Sequence, residues 1–472
     1  MEKTYIGIDI GTTATKAICF DANGNVLHQI SKEYPMYHPK ENWSTQKPNE
    51  ILDSVLVCIK EITKTTEPEF ISFSAAMQSI LIINEDGFPI TDALLWADNR
   101  ATSIATAIKK SEFGTIFYQK TGIPIHPFSP LTKLAWFKEN EPNLFSNAFK
   151  FISLKEYIWH QLTGEYVTDS SMASGTGLMN IHTLQWDKTI LTYLNIKKSQ
   201  LPEIVPPTHK SKGINDDFLY ILGGGDGPLS NLGTGSMEKN RIALSIGTSG
   251  AVRIPITQPF IDADMRTQCY HLMENQYLKL GAVNNGAIIL QWLKESLLKT
   301  NESYETLLEQ AKEVPAGSDG LLFVPYLLGE RAPIWDAETQ GTLLGIKITH
   351  HKAHFIRATL EGILFSLFSV VEILLPDSKI RKETTVMVSG GFGKSELWLQ
   401  MVADIFQMKV AIPETIEGAA WGAVLIGFKS IGNLNTFENK TEAAFYPNPN
   451  HKDVYEKAFK KFKKVYPLLK EI

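Results

Sequence analysis

The run Asp9-Ile10-Gly11-Thr12-Thr13 ends an apolar segment with a carboxylate, a glycine and two hydroxyls. Glycine lets a backbone approach a ligand closely, and consecutive amide and hydroxyl donors can wrap a phosphate. A carboxylate beside that phosphate offers the oxygen that a hydrated magnesium ion needs. An ordinary hairpin with a structural aspartate would read the same way. A turn of similar make, Gly247-Thr248-Ser249-Gly250, stands in the other half of the chain. Two such donor loops could hold a nucleotide's phosphates from both sides. A third glycine turn, Ser389-Gly390-Gly391-Phe392-Gly393, follows the strand-like TTVMV and precedes the helical KSELWLQMVADIF. Strand, Gly-Gly and helix in that order put bare backbone against a flat ligand or a phosphate. Its spacing is neither that of a dinucleotide loop nor that of a Walker loop, and in company with the first two turns it fits an adenosine cradle.

Asp226 lies in GGGDGPLSNLG. A carboxylate on such a loop can accept a hydroxyl proton, and phosphoryl transfer otherwise needs positioning and charge neutralisation more than covalent help. The competing reading is a turn aspartate that satisfies local amides.

The elements that must position these groups can be read from pattern. TYIGIDIGTTATKAICFDANGNVLHQISKEY predicts three short strands, with turns at Gly-Thr-Thr and at Asp21 to Asn25. PNEILDSVLVCIKEITK places Ile51, Val55, Ile59 and Ile62 on one face behind Pro48, an amphipathic helix. FISFSAA predicts a strand, followed by a hairpin about Asn84 to Gly87. RIALSIGTSGAVRIPI then repeats the pattern of TYIGIDIGTTATKAICF: apolar strand, Ile-Gly-Thr, polar turn, second strand. A repeat with a period of half the chain implies two related domains and not a solenoid. The polar, turn-rich GTGSMEKNR places the boundary near Gly235 to Arg241, giving lobes 1–238 and 239–472.

Composition sets bounds on function. At 472 residues the chain has room for two or three domains. The formal charge of −5 argues against non-specific nucleic-acid binding. Cys19, Cys58 and Cys269 are far apart in sequence, which suits a reducing compartment and excludes a zinc-type or redox pair by spacing. MEKTYIGIDIG enters a strand directly, without a signal core, and Gly362 to Leu375 is too short and too polar to span a bilayer. A cytoplasmic protein is the expectation. His350 and His354, four apart in HHKAH, lack an evident third metal ligand and are expected to be a surface pair. Phe355 to Leu375 predicts a buried core helix. Tyr455, Phe459, Phe462 and Val465 predict the apolar stripe of a docking helix with its lysines in water.

Asp9 to Thr13, Gly247 to Ser249, Asp226 and GERAPIWDAETQGTLLGI (Gly329 to Ile346) together resemble the FGGY carbohydrate kinases, in order and over nearly the whole chain. The resemblance implies an α/β fold of two ribonuclease-H-like lobes, as in actin and hexokinase, with a cleft between them. The first lobe would bind sugar and the second nucleotide. It implies ATP and magnesium, Asp226 as general base, and Asp9 supporting the metal through water. Gly11, Thr12, Thr13 and Lys16 would meet phosphates, Gly247 and Thr248 nucleotide, and Gly390, Gly391 and Ser395 adenosine. Met77 and Gln78 would contact substrate beside Asp226. TGIPIHPFSPLTKLAW, SDGLLFVPYLLGERAPIW, DGPLSNLG and GAVNNGAIILQW are similar to the gluconate-phosphorylating branch, which implies conversion of D-gluconate to 6-phospho-D-gluconate. Related kinases often carry Met-His where this chain has Met77-Gln78, and glutamine cannot become cationic. Arg100, in WADNR, is the alternative anion partner, against a structural salt bridge. The rivals are a xylulose or other FGGY polyol kinase and a non-catalytic sugar-sensing regulator. The partners implied are ATP and a small sugar or sugar acid, with no nucleic acid, no membrane and room for a homodimer.

Overall fold

The computed structural model describes residues 3–414, 417–433 and 441–470. The chain divides into two compact units. The first contains Met1–Gly233, to which Ile256–Leu278 and Glu417–Glu438 return. The second contains Thr234–Pro255, Lys279–Ile416 and Asn439–Ile472, which includes the C-terminal helix. The cut at Gly233 lies just before the polar stretch that marks the boundary in sequence. The two returning segments have no sequence signature, because spatial assignment depends on long-range packing.

The first unit is built on β1 (Thr4–Ile10), β2 (Ala14–Phe20), β3 (Val26–Glu33), β4 (Pro68–Ala75), β5 (Lys210–Lys212) and β6 (Leu219–Gly225). Their order is β5-β6-β4-β1-β2-β3, antiparallel in the β1–β2–β3 meander and parallel where β4 joins β1 and β6. Period-two alternation assigns the two faces of β1. Ile6, Ile8 and Ile10 share a core with Ile51, Val55, Ile59 and Ile62 of α1 (Pro48–Ile62). On the opposite face, Tyr5 packs edge-on to Phe428 with ring centroids 4.5 Å apart. Gly7 must be bare there, since a Cβ would stand 2.3 Å from the Ala420 carbonyl oxygen. Ala420 and Phe428 belong to a late helix, Gly418–Ser430, which thus lies across the face of β1 that also carries Asp9. In this unit, α2 (Pro130–Asn140) and α3 (Asp226–Gly233) carry further groups discussed below.

The hairpin expected about Asn84 to Gly87 is present as a turn, with the Asn84 amide donating to the Phe88 carbonyl at 3.0 Å. Its first strand, Leu81–Ile83, takes Lys150–Ile152 as its partner.

The second unit repeats the plan. It uses β7 (Arg241–Ile246), β8 (Gly250–Ile256), β9 (Gln276–Val283), β10 (Thr385–Ser389), β11 (Lys409–Pro413) and β12 (Thr441–Phe445), in the order β9-β8-β7-β10-β11-β12. These six strands of a seven-stranded sheet follow the order of the first sheet, with β7–β8 in the place of β1–β2 and β10 in the place of β4; the seventh, Gln268–Met273, is an added edge strand. The repeat read from sequence is therefore a duplication of topology. α4 (Lys352–Leu374) is buried along most of its length. α5 (Glu396–Phe406) follows β10, and α6 (Gly418–Ser430) is the helix packed on β1 in the first unit. α7 (Lys452–Leu469) buries Tyr455, Phe459, Phe462 and Val465, with Phe459 4.8 Å from the Phe368 ring of α4. His354 is not a surface group. It is 6% exposed at the start of α4, accepts the His351 amide on Nδ1 and meets Asp319 through Nε2 at 3.1 Å. All three cysteines are buried and free. Among the described residues no helix is long and apolar enough to cross a membrane.

Candidate active site

Register brings the first unit's acidic groups together. Asp9 pairs with Ser74 across β1–β4, and Ser74 pairs with Gly224 across β4–β6. The carboxyl ends of three strands thus lie side by side, the edge of an open α/β sheet where ligands bind. Asp226 follows two residues after Gly224, at the first position of α3. There it accepts its neighbour Gly227's amide on Oδ1 at 2.7 Å, and the helix N-terminus favours its negative charge. Asp9 accepts the Ser74 hydroxyl at 2.8 Å. Removal from water, and then the charge of Asp226, push the Asp9 carboxyl up to about 7. Two carboxylates crowded at one edge repel each other, and a cation placed between them would relieve this. Among the described residues no group of three or more His, Cys, Asp or Glu side chains could hold a metal. The donor set therefore suits a hydrated magnesium ion held by one or two carboxylates and by substrate phosphate, and not a cage made by the protein alone.

The Gly11–Thr13 turn is fastened from several sides. The Tyr34 hydroxyl donates to the Gly11 carbonyl at 2.7 Å, and the Gln46 side chain donates to the Thr12 carbonyl at 2.7 Å. The Trp96 indole donates to the Thr12 hydroxyl at 3.3 Å. Lys16 stands opposite Asp9 in the β1–β2 ladder and binds Glu417 at 3.0 Å, just ahead of α6. Trp96, Gln46 and Glu417 were not singled out by the sequence. Their only signal was proximity in space, which no local pattern carries.

Met77 and Gln78 lie beyond the end of β4. A Cβ on Gly225 would stand 2.7 Å from the Met77 sulfur, so Met77 packs against the residue before Asp226. Gln78 adopts a left-handed backbone with φ 65° and donates its amide to the Tyr270 hydroxyl at 2.7 Å. Arg100 is arranged as a structural ion pair and not as an open anion partner. Its Nε and Nη2 each donate to Asp98 at 2.8 Å, and its guanidinium lies 3.5 Å over the Trp43 ring. The side chain is 5% exposed, so the fork that could grip a carboxylate is already engaged. Lys133, in the first turn of α2, is fully buried among loop carbonyls. Burial pushes its ammonium down to about 7, and the charge of Asp98 opposes that shift. A lysine between Leu131 and Leu134 on an otherwise apolar helix face was the available signal for it.

In the second unit, Ser245 pairs with Ser389 across β7–β10, so the turns that follow these strands are neighbours. Gly247 and Thr248 are exposed in the first turn, Gly390 and Gly391 in the second. Gly390 has φ 103°, and a Cβ there would stand 2.4 Å from the Ile246 carbonyl oxygen. Gly391 differs: a Cβ would meet nothing within 4 Å. Gly390 is thus required by the fold, and Gly391 leaves an open face. Ser395 caps α5, accepting the Trp398 amide at 3.3 Å. The 247–249 turn is backed by Gly286 and Ala287, whose amides donate to the Thr248 and Gly247 carbonyls at 3.2 and 2.8 Å. Glu330, from the GERAPIW string, is fully buried and accepts from the Asn284 amide and the Asn285 side chain. That string therefore supports the loop behind the Thr248 turn.

Known proteins match the chain along nearly its whole length. Residues 4–227 match the N-terminal domain of the FGGY family of carbohydrate kinases, and residues 242–431 match its C-terminal domain. The chain is 40% identical to the gluconokinase of Bacillus subtilis, over 93% of this chain and 90% of that protein. It is 30% identical to the xylulose kinase of the same organism, over 100% and 98%. Two solved structures from Lactobacillus acidophilus, a gluconate kinase and a ligand-bound xylulose kinase, each superpose with a TM-score of 0.94 at 36% identity. Each covers 99% of this chain and 98% of its own.

Proposed function

The chain belongs to the FGGY family of carbohydrate kinases, and from that premise we propose that it phosphorylates D-gluconate with ATP, giving 6-phospho-D-gluconate. The observation that carries the chemistry is the strand register that sets Asp226 beside Asp9 at the carboxyl edge of one sheet. Asp226 is the general base. It takes the proton of the substrate's primary hydroxyl as that oxygen attacks the γ-phosphorus in line. Asp9 would hold a magnesium ion, with Thr12, Thr13 and Lys16 toward the phosphates. Bound there, the ion would supply neutralisation of charge on the phosphoryl oxygens. In the second unit, Gly247 and Thr248 contact nucleotide, and Gly390, Gly391 and Ser395 line the adenosine site. Gly391 is its clearest candidate, since nothing of the chain occupies the space a side chain would take. Met77 and Gln78 contact the sugar acid. A cytoplasmic protein using only ATP and a small sugar acid is the setting that fits this reading.

The preference for gluconate rests on the higher identity to gluconokinase, 40% against 30% for xylulose kinase. A pentulose is the second reading, because the Lactobacillus structures named for gluconate and for xylulose are equally similar to this chain. An ADP-release assay over gluconate, xylulose, ribulose and glycerol separates the two readings.

A further inference from the structure

Gln78 is held at both ends by residues to which the reading above gives no part. Its left-handed backbone is one that a non-glycine residue keeps only where its surroundings fix it. The fixing group is Lys133, whose Nζ donates to the carbonyls of Gln78 at 3.2 Å, Leu95 at 2.5 Å and Phe128 at 2.8 Å. An ammonium has three hydrogens, and here three carbonyls from three separate loops take them. One loop carries Gln78, and another runs into Trp96, which reaches Thr12. The side chain of Gln78 is held from elsewhere. Tyr270, 4% exposed, accepts its amide hydrogen at 2.7 Å across 192 positions of sequence. Tyr270 lies on the strand Gln268–Met273, one of the segments that return to the first unit. Two hydrogen bonds tie that strand to the helix Ser170–Ser174: the Ser170 hydroxyl donates to the Leu272 carbonyl, and the His271 amide to the Ser174 hydroxyl, each at 3.1 Å. Gly175, next in the chain, packs against both side chains, since a Cβ there would lie 2.7 Å from the Met77 methyl and 3.3 Å from the Gln78 nitrogen.

We propose that Lys133 and Tyr270 are positioning residues that set the Gln78 carboxamide to read the hydroxyl chain of an acyclic sugar or sugar acid. The inference rests on the reading of Gln78 as a substrate contact. With one amide hydrogen on Tyr270, the carboxamide keeps one hydrogen and its oxygen, a donor beside an acceptor. A carboxylate has no hydrogen for that oxygen, whereas neighbouring hydroxyls match both groups. Gln78 therefore recognises the polyol part that gluconate and a pentulose share, and the carboxylate is bound elsewhere.

The test is a kinetic cycle on the full chain with Tyr270→Phe, Gln78→Ala and the double variant. Tyr270→Phe is expected to raise KM by about five- to twentyfold for whichever sugars the enzyme turns over, acids and ketoses alike. The KM for ATP and the thermal midpoint should stay near those of the parent. In the Gln78→Ala background the same change should add less than about twofold. Lys133→Met is expected to raise the sugar KM similarly and to lower the thermal midpoint as well. If that variant does not fold, the Tyr270 cycle decides. A parental sugar KM in Tyr270→Phe, or an equal loss with and without Gln78, would overturn the inference. Gln78→Ala with parental sugar kinetics would instead overturn the substrate-contact reading, and the inference with it.

Discussion

Replacing Asp226 by asparagine removes a proton acceptor while nearly preserving shape. If Asp226 is the base, turnover should fall about 10²- to 10⁴-fold, with ATP affinity and thermal midpoint close to those of the parent. A turn aspartate would behave in the opposite way, costing stability and leaving the turnover of folded molecules normal. Measuring all three on one preparation separates the roles. Asp9 makes a different prediction. Its carboxyl is raised from 3.8 to about 7, so between those values the native state holds a proton that the unfolded chain has lost. Without a cation, this group's contribution to stability is full below about 4 and is lost as pH rises toward about 7. Magnesium needs the ionised form. The rise in thermal midpoint on adding magnesium with ADP should therefore be larger at about pH 8 than at about pH 6. Asp9→Asn should abolish the difference, and an equal rise at both pH values in the parent would speak against Asp9 as the metal's partner.

At the scale of elements, two adjacent glycines should part company. Gly390→Ala meets a carbonyl oxygen at 2.4 Å on a backbone with φ 103°, and should destabilise the protein by about 1–3 kcal/mol. Gly391→Val faces open space, so it should fold and lose nucleotide affinity while its sugar affinity changes little. Unchanged nucleotide binding in a folded Gly391→Val variant would make that turn purely structural. The first unit has its own close approach, where a Cβ on Gly422 of α6 would stand 2.0 Å from the Leu229 carbonyl oxygen of α3. Gly422→Ala should lower the thermal midpoint, and turnover too if α3 shifts Asp226. These elements differ in how far sequence betrays them. β1, β2, α1, α4 and α7 were legible because each carries its own periodicity. The glycine turns after β1, β7 and β10 were legible as turns, because glycine with small polar residues breaks a strand. The Asp9–Ser74–Gly224 register was not, because a parallel pairing joins residues far apart in sequence and leaves no local mark. Tyr270 and Trp96 escaped for the same reason, whereas Lys133 did carry a local mark, a lysine on an otherwise apolar helix face. Arg100 shows the converse: its type fits an anion partner, and only the buried Asp98 beside it shows that the guanidinium is already paired.

At the scale of the whole molecule, the duplicated strand order accounts for the equivalent turns, since each follows the same strand of its own sheet. The first sheet adds carboxylates at that edge, Asp9 and Asp226. The second presents Gly247, Thr248 and Gly391 at the equivalent edge, without an acidic pair at the matching strand ends among the described residues. The proposed reaction would use the first edge for the acceptor hydroxyl and the second for the nucleotide. Substrate identity is the claim on which the account most depends, and ADP release measured across gluconate, xylulose, ribulose and glycerol tests it most directly. Gluconate should give the highest kcat/KM of the panel, with 6-phosphogluconate as the product. A clear preference for xylulose or another neutral sugar, with gluconate inert, would contradict it.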